Sequence, residues 1–233
     1  MLENFEDRYK PVNVNDIVFA DDESKQLIVD LISGARPFPI REGKCGILLY
    51  GIPGTGKSAL AKIFPDAMEK CRSGFAANER YIHVQPSSND AALIASLQNQ
   101  AMLIPFSKYH YFVLDEVDVL TKTAMQSLKS LMNMRNCVFV LTTNKFNDVE
   151  VGVRNRCHCI PFNAAPAENW LPLCRRILSD VGINSISDQS LLKVIATGNG
   201  SARDILDAVV SIVLKVERSN NSVAPVKDGG QYV

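Results

Sequence analysis

The octet Gly51-Ile52-Pro53-Gly54-Thr55-Gly56-Lys57-Ser58 constrains this chain more than any other stretch. Its spacing is G-x-x-x-x-G-K-[ST], the pattern of a phosphate-binding loop. The apolar run Gly46-Ile47-Leu48-Leu49-Tyr50 precedes it and Ala59-Leu60-Ala61-Lys62-Ile63-Phe64 follows. This is strand, glycine turn, helix, the setting the pattern requires. Glycines let successive backbone N–H groups turn inward around phosphate oxygens. A helix starting near Lys57 adds unpaired N–H groups and the positive end of its dipole. Lys57 is then placed to reach the β- and γ-phosphates of a nucleotide, and the Ser58 hydroxyl to occupy a Mg²⁺ ligand position.

The rest of the chain has to supply a sheet around that strand. Short apolar runs at Arg80–Val84, Tyr109–Leu114, Cys137–Leu141 and Cys157–Pro161 predict four further strands. Between them lie helical patterns. One opens at Asp21-Asp22-Glu23 and runs to about Ser33, one covers residues 58–70, and one covers residues 88–101 with Ser88 or Asn89 as cap. Another follows Thr121, with Ala124, Met125, Leu128, Leu131 and Met132 at helical spacing. Strands alternating with helices predict a parallel α/β sheet covered on both faces. After Pro161 only helical patterns remain, at roughly residues 167–181, 187–196 and 201–217. The expected organisation is an α/β nucleotide-binding domain over residues 1–162, a small helical domain over 163–218 and a polar, flexible tail over 219–233.

Composition narrows the setting. Lys+Arg and Asp+Glu are both 25, so a contact with nucleic acid has to come from a local patch or from an assembly rather than from net charge. None of the six cysteines forms a C-x-x-C pair, which argues against zinc and for reduced, buried thiols. No apolar stretch approaches the roughly 18 residues of a membrane span. The opening Met-Leu-Glu-Asn-Phe-Glu-Asp-Arg is too acidic for a signal peptide. The expectation is a cytoplasmic protein with no membrane partner, or a nuclear one if the source is eukaryotic.

Three further features gather around the nucleotide. Tyr111-Phe112-Val113-Leu114-Asp115-Glu116 is an apolar strand ending in two carboxylates. It would deliver Asp115 to the Mg²⁺ hydration shell and Glu116 to a water attacking the γ-phosphate. Asn144, after Leu141-Thr142-Thr143, ends the next strand and is a candidate for holding that water. Ser201-Ala202-Arg203-Asp204 reads as a capping box that puts Arg203 in a first helical turn. A cation there faces the positive end of the dipole, a mild cost that a nearby phosphate would offset.

The order of these motifs, with Arg156-Cys157 before the last strand, resembles that of AAA+ ATPases, and more narrowly the clamp-loader group. That group comprises replication factor C small subunits, the phage clamp-loader ATPase subunit and the bacterial gamma/tau subunit. The similarity runs over about residues 5–215 and includes Arg8-Tyr9-Lys10-Pro11, Asn15-Asp16-Ile17-Val18 and Gly200-Ser201-Ala202-Arg203-Asp204. It implies ATP and Mg²⁺ as cofactors, hydrolysis of ATP to ADP and phosphate, and Arg203 as a nucleotide-sensing residue on a helical lid. It also implies that Arg156, in a segment resembling the family's Ser-Arg-Cys motif, acts on ATP bound by the neighbouring subunit. The implied partners are other AAA+ subunits in a ring, a sliding clamp and primer-template DNA. Lys122 and Lys129, on one face of the helix after Glu116, are candidates for DNA phosphate contacts. Gln85 and Met125 depart from the family pattern, and the chain ends just after the lid, where the family carries a collar domain. Two other functions stay open: a different DNA-linked AAA+ remodeller serving recombination, transposition or phage defence, and a non-hydrolysing ATP-binding scaffold.

Overall fold

A computed structural model describes residues 8–40 and 42–222, with side chains through Arg218. Five parallel strands form one sheet: β1 (Gly46–Tyr50), β2 (Glu79–His83), β3 (His110–Asp115), β4 (Cys137–Thr143) and β5 (Cys157–Pro161), in the order β2-β3-β4-β1-β5. Among the described residues of the first part of the chain, it is accompanied by α1 (Asp22–Ser33), α2 (Lys57–Ser73), α3 (Ala91–Ala101), α4 (Lys122–Leu131) and α5 (Val151–Asn155). The expected α/β sheet with helices on both faces is present.

Alternation along the strands builds two core layers, because successive side chains point to opposite faces. Leu48, Phe112, Leu114, Phe139 and Leu141 pack with Ile94 and Leu97 of α3 and Leu128 and Leu131 of α4. Ile47, Leu49, Tyr111, Val113, Val138 and Val140 pack on the other side with Ile28 and Leu31 of α1 and Leu60, Phe64 and Met68 of α2. Strands covered on both faces read as continuous apolar runs, which is why β3 and β4 stand out in the sequence.

Several boundaries differ from expectation. Asp90, not Ser88 or Asn89, caps α3, accepting from the N–H groups of Ala92 and Leu93. The Asn89 side chain instead donates to the Val119 carbonyl at 2.8 Å. α2 runs on to Ser73 through Pro65, since buried Leu60, Phe64 and Met68 hold it against the sheet on both sides of the proline. Short 3-10 turns at Val14–Asp16, Val117–Val119 and Phe146–Asp148, and the five-residue α5, carry too little periodicity to be read from sequence.

The chain divides after Ala165 into two compact units. The second contains α6 (Ala167–Asp180), α7 (Asp188–Thr197) and α8 (Ala202–Ser222). Trp170, Cys174, Ile177 and Leu178 of α6, Ile183 after it, Leu191 and Ile195 of α7, and Ile205, Val209 and Val213 of α8 are buried hydrophobic residues of this unit. α8 continues past the expected end to Ser222, and the remainder of the expected tail lies outside the described residues. Among the described residues no helix is long and apolar enough to cross a membrane.

Candidate nucleotide site

β1 lies between β4 and β5, while the chain leaving β1 crosses to β2 at the far edge. That reversal opens a crevice beyond the carboxyl ends of the strands, where open parallel sheets place ligands. The glycine loop occupies it. Gly51, Gly54 and Gly56 have φ of 148°, 81° and 100°, values that side chains resist. Gly51 is held twice over, because a Cβ there would lie 2.2 Å from the Phe162 carbonyl oxygen. Gly56 is the N-cap of α2, with Leu60 N–H donating to its carbonyl at 3.0 Å. Ile52, Pro53 and Thr55 complete the loop, and Thr55 Oγ1 donates to the Ile52 carbonyl.

Lys57 is 6 % exposed and donates to the carbonyls of Gly51 at 3.0 Å and Ile52 at 2.6 Å. Burial lowers its pKa, and the carboxylates of Asp115, Glu116 and Asp118 work against that shift. An ammonium folded onto its own loop's carbonyls needs only those two bonds broken to turn to an anion.

Asp115 is the centre of the site. Ser58 Oγ donates to its Oδ1 at 2.8 Å and Thr142 Oγ1 to the same oxygen at 2.5 Å. Tyr81 OH donates to Oδ2 at 2.7 Å, and His83 Nδ1 stands 3.6 Å from it. Burial alone would raise the Asp115 pKa, but the three hydroxyl donors outweigh it and hold the carboxyl below its ordinary range. Ser58 and Asp115 therefore offer hard oxygen atoms side by side, a donor set that fits Mg²⁺ with part of its water shell.

Glu116 follows in the left-handed region, φ 64° and ψ 52°. A glutamate there is strained, and such strain gathers at functional positions. Its N–H donates to Thr142 Oγ1 at 3.0 Å, so one threonine holds both carboxylate residues. Thr143, fully buried, donates to Asp118 Oδ1 at 2.8 Å. Asn144 follows β4 directly and is exposed, one residue beyond the Thr143 carbonyl that receives the Gly51 N–H.

The loop, Lys57, Ser58, Asp115, Glu116 and Asn144 are thus brought to one end of the sheet. Arg156 is not among them. It caps the C-terminus of α5, and its carbonyl accepts from Cys45 and Gly46 at the opposite end of β1. Five strand residues, about 16 Å, separate it from the loop of its own chain. Its Nε donates to Asn133 Oδ1 and its Nη1 to the Gly152 carbonyl, both at 2.9 Å. Arg203 stands exposed in the first turn of α8, with the Asp204 N–H reaching Ser201 Oγ at 3.4 Å. Of the two lysines of α4, Lys122 is exposed, whereas Lys129 is tied to Glu150 at 2.8 Å. Gln85 lies exposed in a tight turn, bridged to Ser88. Sequence reasoning missed Thr142, Tyr81 and His83. His83 and Thr142 are strand residues level with Asp115, and Tyr81 lies two residues before His83 on β2, its hydroxyl reaching up to the carboxylate; none of this is visible until the strands are paired.

Comparison with known proteins agrees with this geometry. The profile of the "ATPase family associated with various cellular activities (AAA)" matches residues 47–162, which span β1 to the end of β5. The chain is 25% identical over 207 residues to replication factor C small subunit 2 of Pyrobaculum islandicum, covering 87% of this chain and 61% of that protein. It is 26% identical to replication factor C subunit 4 of Encephalitozoon cuniculi, covering 88% and 63%. It is 25% identical to DNA polymerase III subunit gamma/tau of Mycobacterium bovis, covering 87% and 37%. The chain therefore spans less than two thirds of the length of these relatives. Among solved structures, the Thermotoga maritima RuvB Holliday junction branch migration motor superposes with a TM-score of 0.69 at 16% identity, over 90% of this chain and 67% of that one. Residues 47–162 of this chain thus form an AAA ATPase domain, and the chain is similar to clamp-loader subunits.

Proposed function

We propose that this chain is an ATP-hydrolysing subunit of a clamp-loader-like ring, in which each ATP site is completed by the next subunit. The separation of Arg156 from its own phosphate loop carries the reading. A site that holds one lysine, a polarising glutamate and a hydroxyl–carboxylate pair gains from a further cation that meets charge developing on the γ-phosphate. The chain's own arginine cannot reach it along the sheet, but a neighbour's can.

Within one subunit the loop N–H groups and Lys57 hold the triphosphate. Glu116 accepts a hydrogen bond from the attacking water and draws its proton toward the carboxylate, with Asn144 orienting the same water. Thr142 keeps Glu116 and Asp115 in register. Mg²⁺ held by Ser58, and by Asp115 through water, would neutralise charge on the β- and γ-phosphates. Arg203 adds a second contact to the nucleotide. Relatives named for replication and for DNA polymerase III support a sliding clamp and primer-template DNA as what the ring handles, with Lys122 as a phosphate contact.

The test is complementation. Arg156→Ala and Glu116→Gln should each be nearly inactive, and mixing them should restore part of the turnover, because some interfaces pair an intact Glu116 with an intact Arg156. Removing such an arginine costs about 10³–10⁵ in rate, so even partial rescue is visible. Full-rate, concentration-independent turnover by a proven monomer would remove both the arginine assignment and the ring. Failure to capture a sliding clamp in the presence of ATP, with turnover intact, would favour a different DNA-linked remodeller.

A further inference from the structure

We propose that Arg154 is a positioning residue, tying the helix that presents Arg156 to the strand end that carries the phosphate loop. This rests on the reading that Arg156 acts on ATP held by a neighbouring subunit. Tyr50 closes β1 and immediately precedes Gly51. Its ring centroid lies 4.3 Å from that of Phe146, tilted by 37°. Phe146 opens the 3-10 turn that follows Asn144 and Lys145. On Phe146 sits the Arg154 guanidinium, its Cζ 4.7 Å from the ring centroid. Arg154 belongs to α5, and the C-cap of α5 is Arg156. One stack, Tyr50–Phe146–Arg154, thus joins the base of the loop to the helix whose end bears the arginine.

The stack has a cost that packing alone does not explain. Arg154 Nε is buried and has no hydrogen-bond acceptor among the described residues, and neither has Glu150 Oε2 a donor. A buried N–H without an acceptor is destabilising, and a ring face returns only part of what is lost. The helix has other anchors: Val149 and Val153 are buried, Lys129 pairs with Glu150, and Arg156 itself bonds to the Gly152 carbonyl and to Asn133. Those contacts hold α5 to its own layer. Arg154 adds the link toward Tyr50, so a shift of the strand end when phosphate fills the loop is passed through two short contacts, a tilted ring pair and a cation over a ring, to Arg156.

The experiment uses the full chain and measures ATP affinity, thermal midpoint, and the part of ATP turnover that rises with protein concentration. Arg154→Gln should lower that part about five- to tenfold, the scale of one partly desolvated cation–π contact, with ATP affinity and thermal midpoint near those of wild type. Arg154→Lys, which keeps a cation on the ring, should retain more than half. Phe146→Leu should lose as much as Arg154→Gln, and the double variant no more than either alone, because both break one link. Additive losses, or a fall in affinity and thermal midpoint that tracks the loss of turnover, would overturn the proposal in favour of simple packing. Arg156→Ala separates the premise from the proposal. If it abolishes the concentration-dependent part and Arg154→Gln does not touch it, the proposal is wrong and the reading of Arg156 stands. If neither changes it, the reading of Arg156 fails and the proposal falls with it. Should Arg154→Gln not fold, Phe146→Leu against Phe146→Tyr decides, since only the tyrosine keeps the ring: equal turnover in the two overturns the link.

Discussion

Thr142 does more at this site than its place in an apolar strand suggests. Its hydroxyl donates to Asp115 and accepts from the Glu116 N–H, so both carboxylate residues hang on one oxygen. Thr142→Val keeps the shape and removes both bonds. It leaves a part-buried N–H unsatisfied, at about 1–3 kcal/mol, and frees the Asp115 carboxyl to rotate. The expected result is a lower thermal midpoint and about a tenfold fall in ATP turnover. A variant with wild-type values in both assays would reduce Thr142 to a packing residue. Glu69 is the second informative residue. It is 1 % exposed in α2, and its carboxylate receives Tyr111 OH at 2.6 Å, Ser73 Oγ at 2.7 Å and the Lys108 N–H at 2.9 Å. Burial would raise its pKa, but these donors outweigh burial and hold it below the ordinary 4.5. A carboxyl depressed in the folded state binds its proton later than in the unfolded chain. Its stabilisation is therefore complete above the unfolded value and is lost as pH falls through the folded one. Melting curves from neutral pH downward should show wild type losing stability more steeply below about pH 4.5 than Glu69→Gln, which has no charge to lose there. Parallel curves would mean that the Glu69 carboxyl is not depressed.

Among the elements, the break between β3 and the turn that follows carries a local conflict. The sheet ends at Asp115, the next turn starts at Val117, and Glu116 between them is forced to φ 64°. Left-handed backbone costs a residue with a Cβ about 1 kcal/mol relative to glycine. Glu116→Gly is therefore expected to be more stable to denaturant than Glu116→Gln by about 0.5–1 kcal/mol while equally inactive in hydrolysis. If Glu116→Gln were the more stable of the two, the strain would be absent. Elsewhere the elements resolve their own ends. Arg72, in the last turn of α2, donates to the carbonyls of Leu31, Ile32 and Phe38 and so closes the C-terminus of α1. Two of these carbonyls, Leu31 and Ile32, are in the last turn of α1, so the cation satisfies groups that a helix cannot pair internally.

On the scale of the molecule, the sheet, both core layers and the phosphate loop lie before Ala165, and the second unit has a core of its own. A chain cut after Ala165 should fold, with cooperative thermal unfolding followed by circular dichroism. A broad, non-cooperative melt would mean that the later helices complete its core. The same shortened chain tests Arg203, which it lacks. If Arg203 contacts the nucleotide, the shortened chain and full-length Arg203→Ala should both bind ATP less tightly than wild type, by about one order of magnitude for a lost charge-assisted contact. Wild-type affinity in the full-length variant would leave Arg203 a surface charge.

The phosphate loop was legible in the sequence because its chemistry is local: glycines, lysine and serine act within one turn, and their neighbours in space are their neighbours in the chain. β3 and β4 were legible too, since strands buried on both faces leave unbroken apolar runs. The helix boundaries at Asp90 and Ser73 were missed because tertiary packing and competing local caps decide them. Three things came only with the fold. Tyr81, His83 and Thr142 surround Asp115 because β2, β3 and β4 are paired in a particular register, which pairing sets and sequence does not state. Lys129 is bound to Glu150 because α4 and α5 lie side by side, although its helical spacing suggested a free face. Arg156 sits at the far end of β1 from the loop because parallel strands put every strand's start at one edge and every strand's end at the other. Local sequence determined what can hold a phosphate. The direction of five strands set Arg156 apart from its own loop, and the proposed role in a neighbour's site rests on that separation.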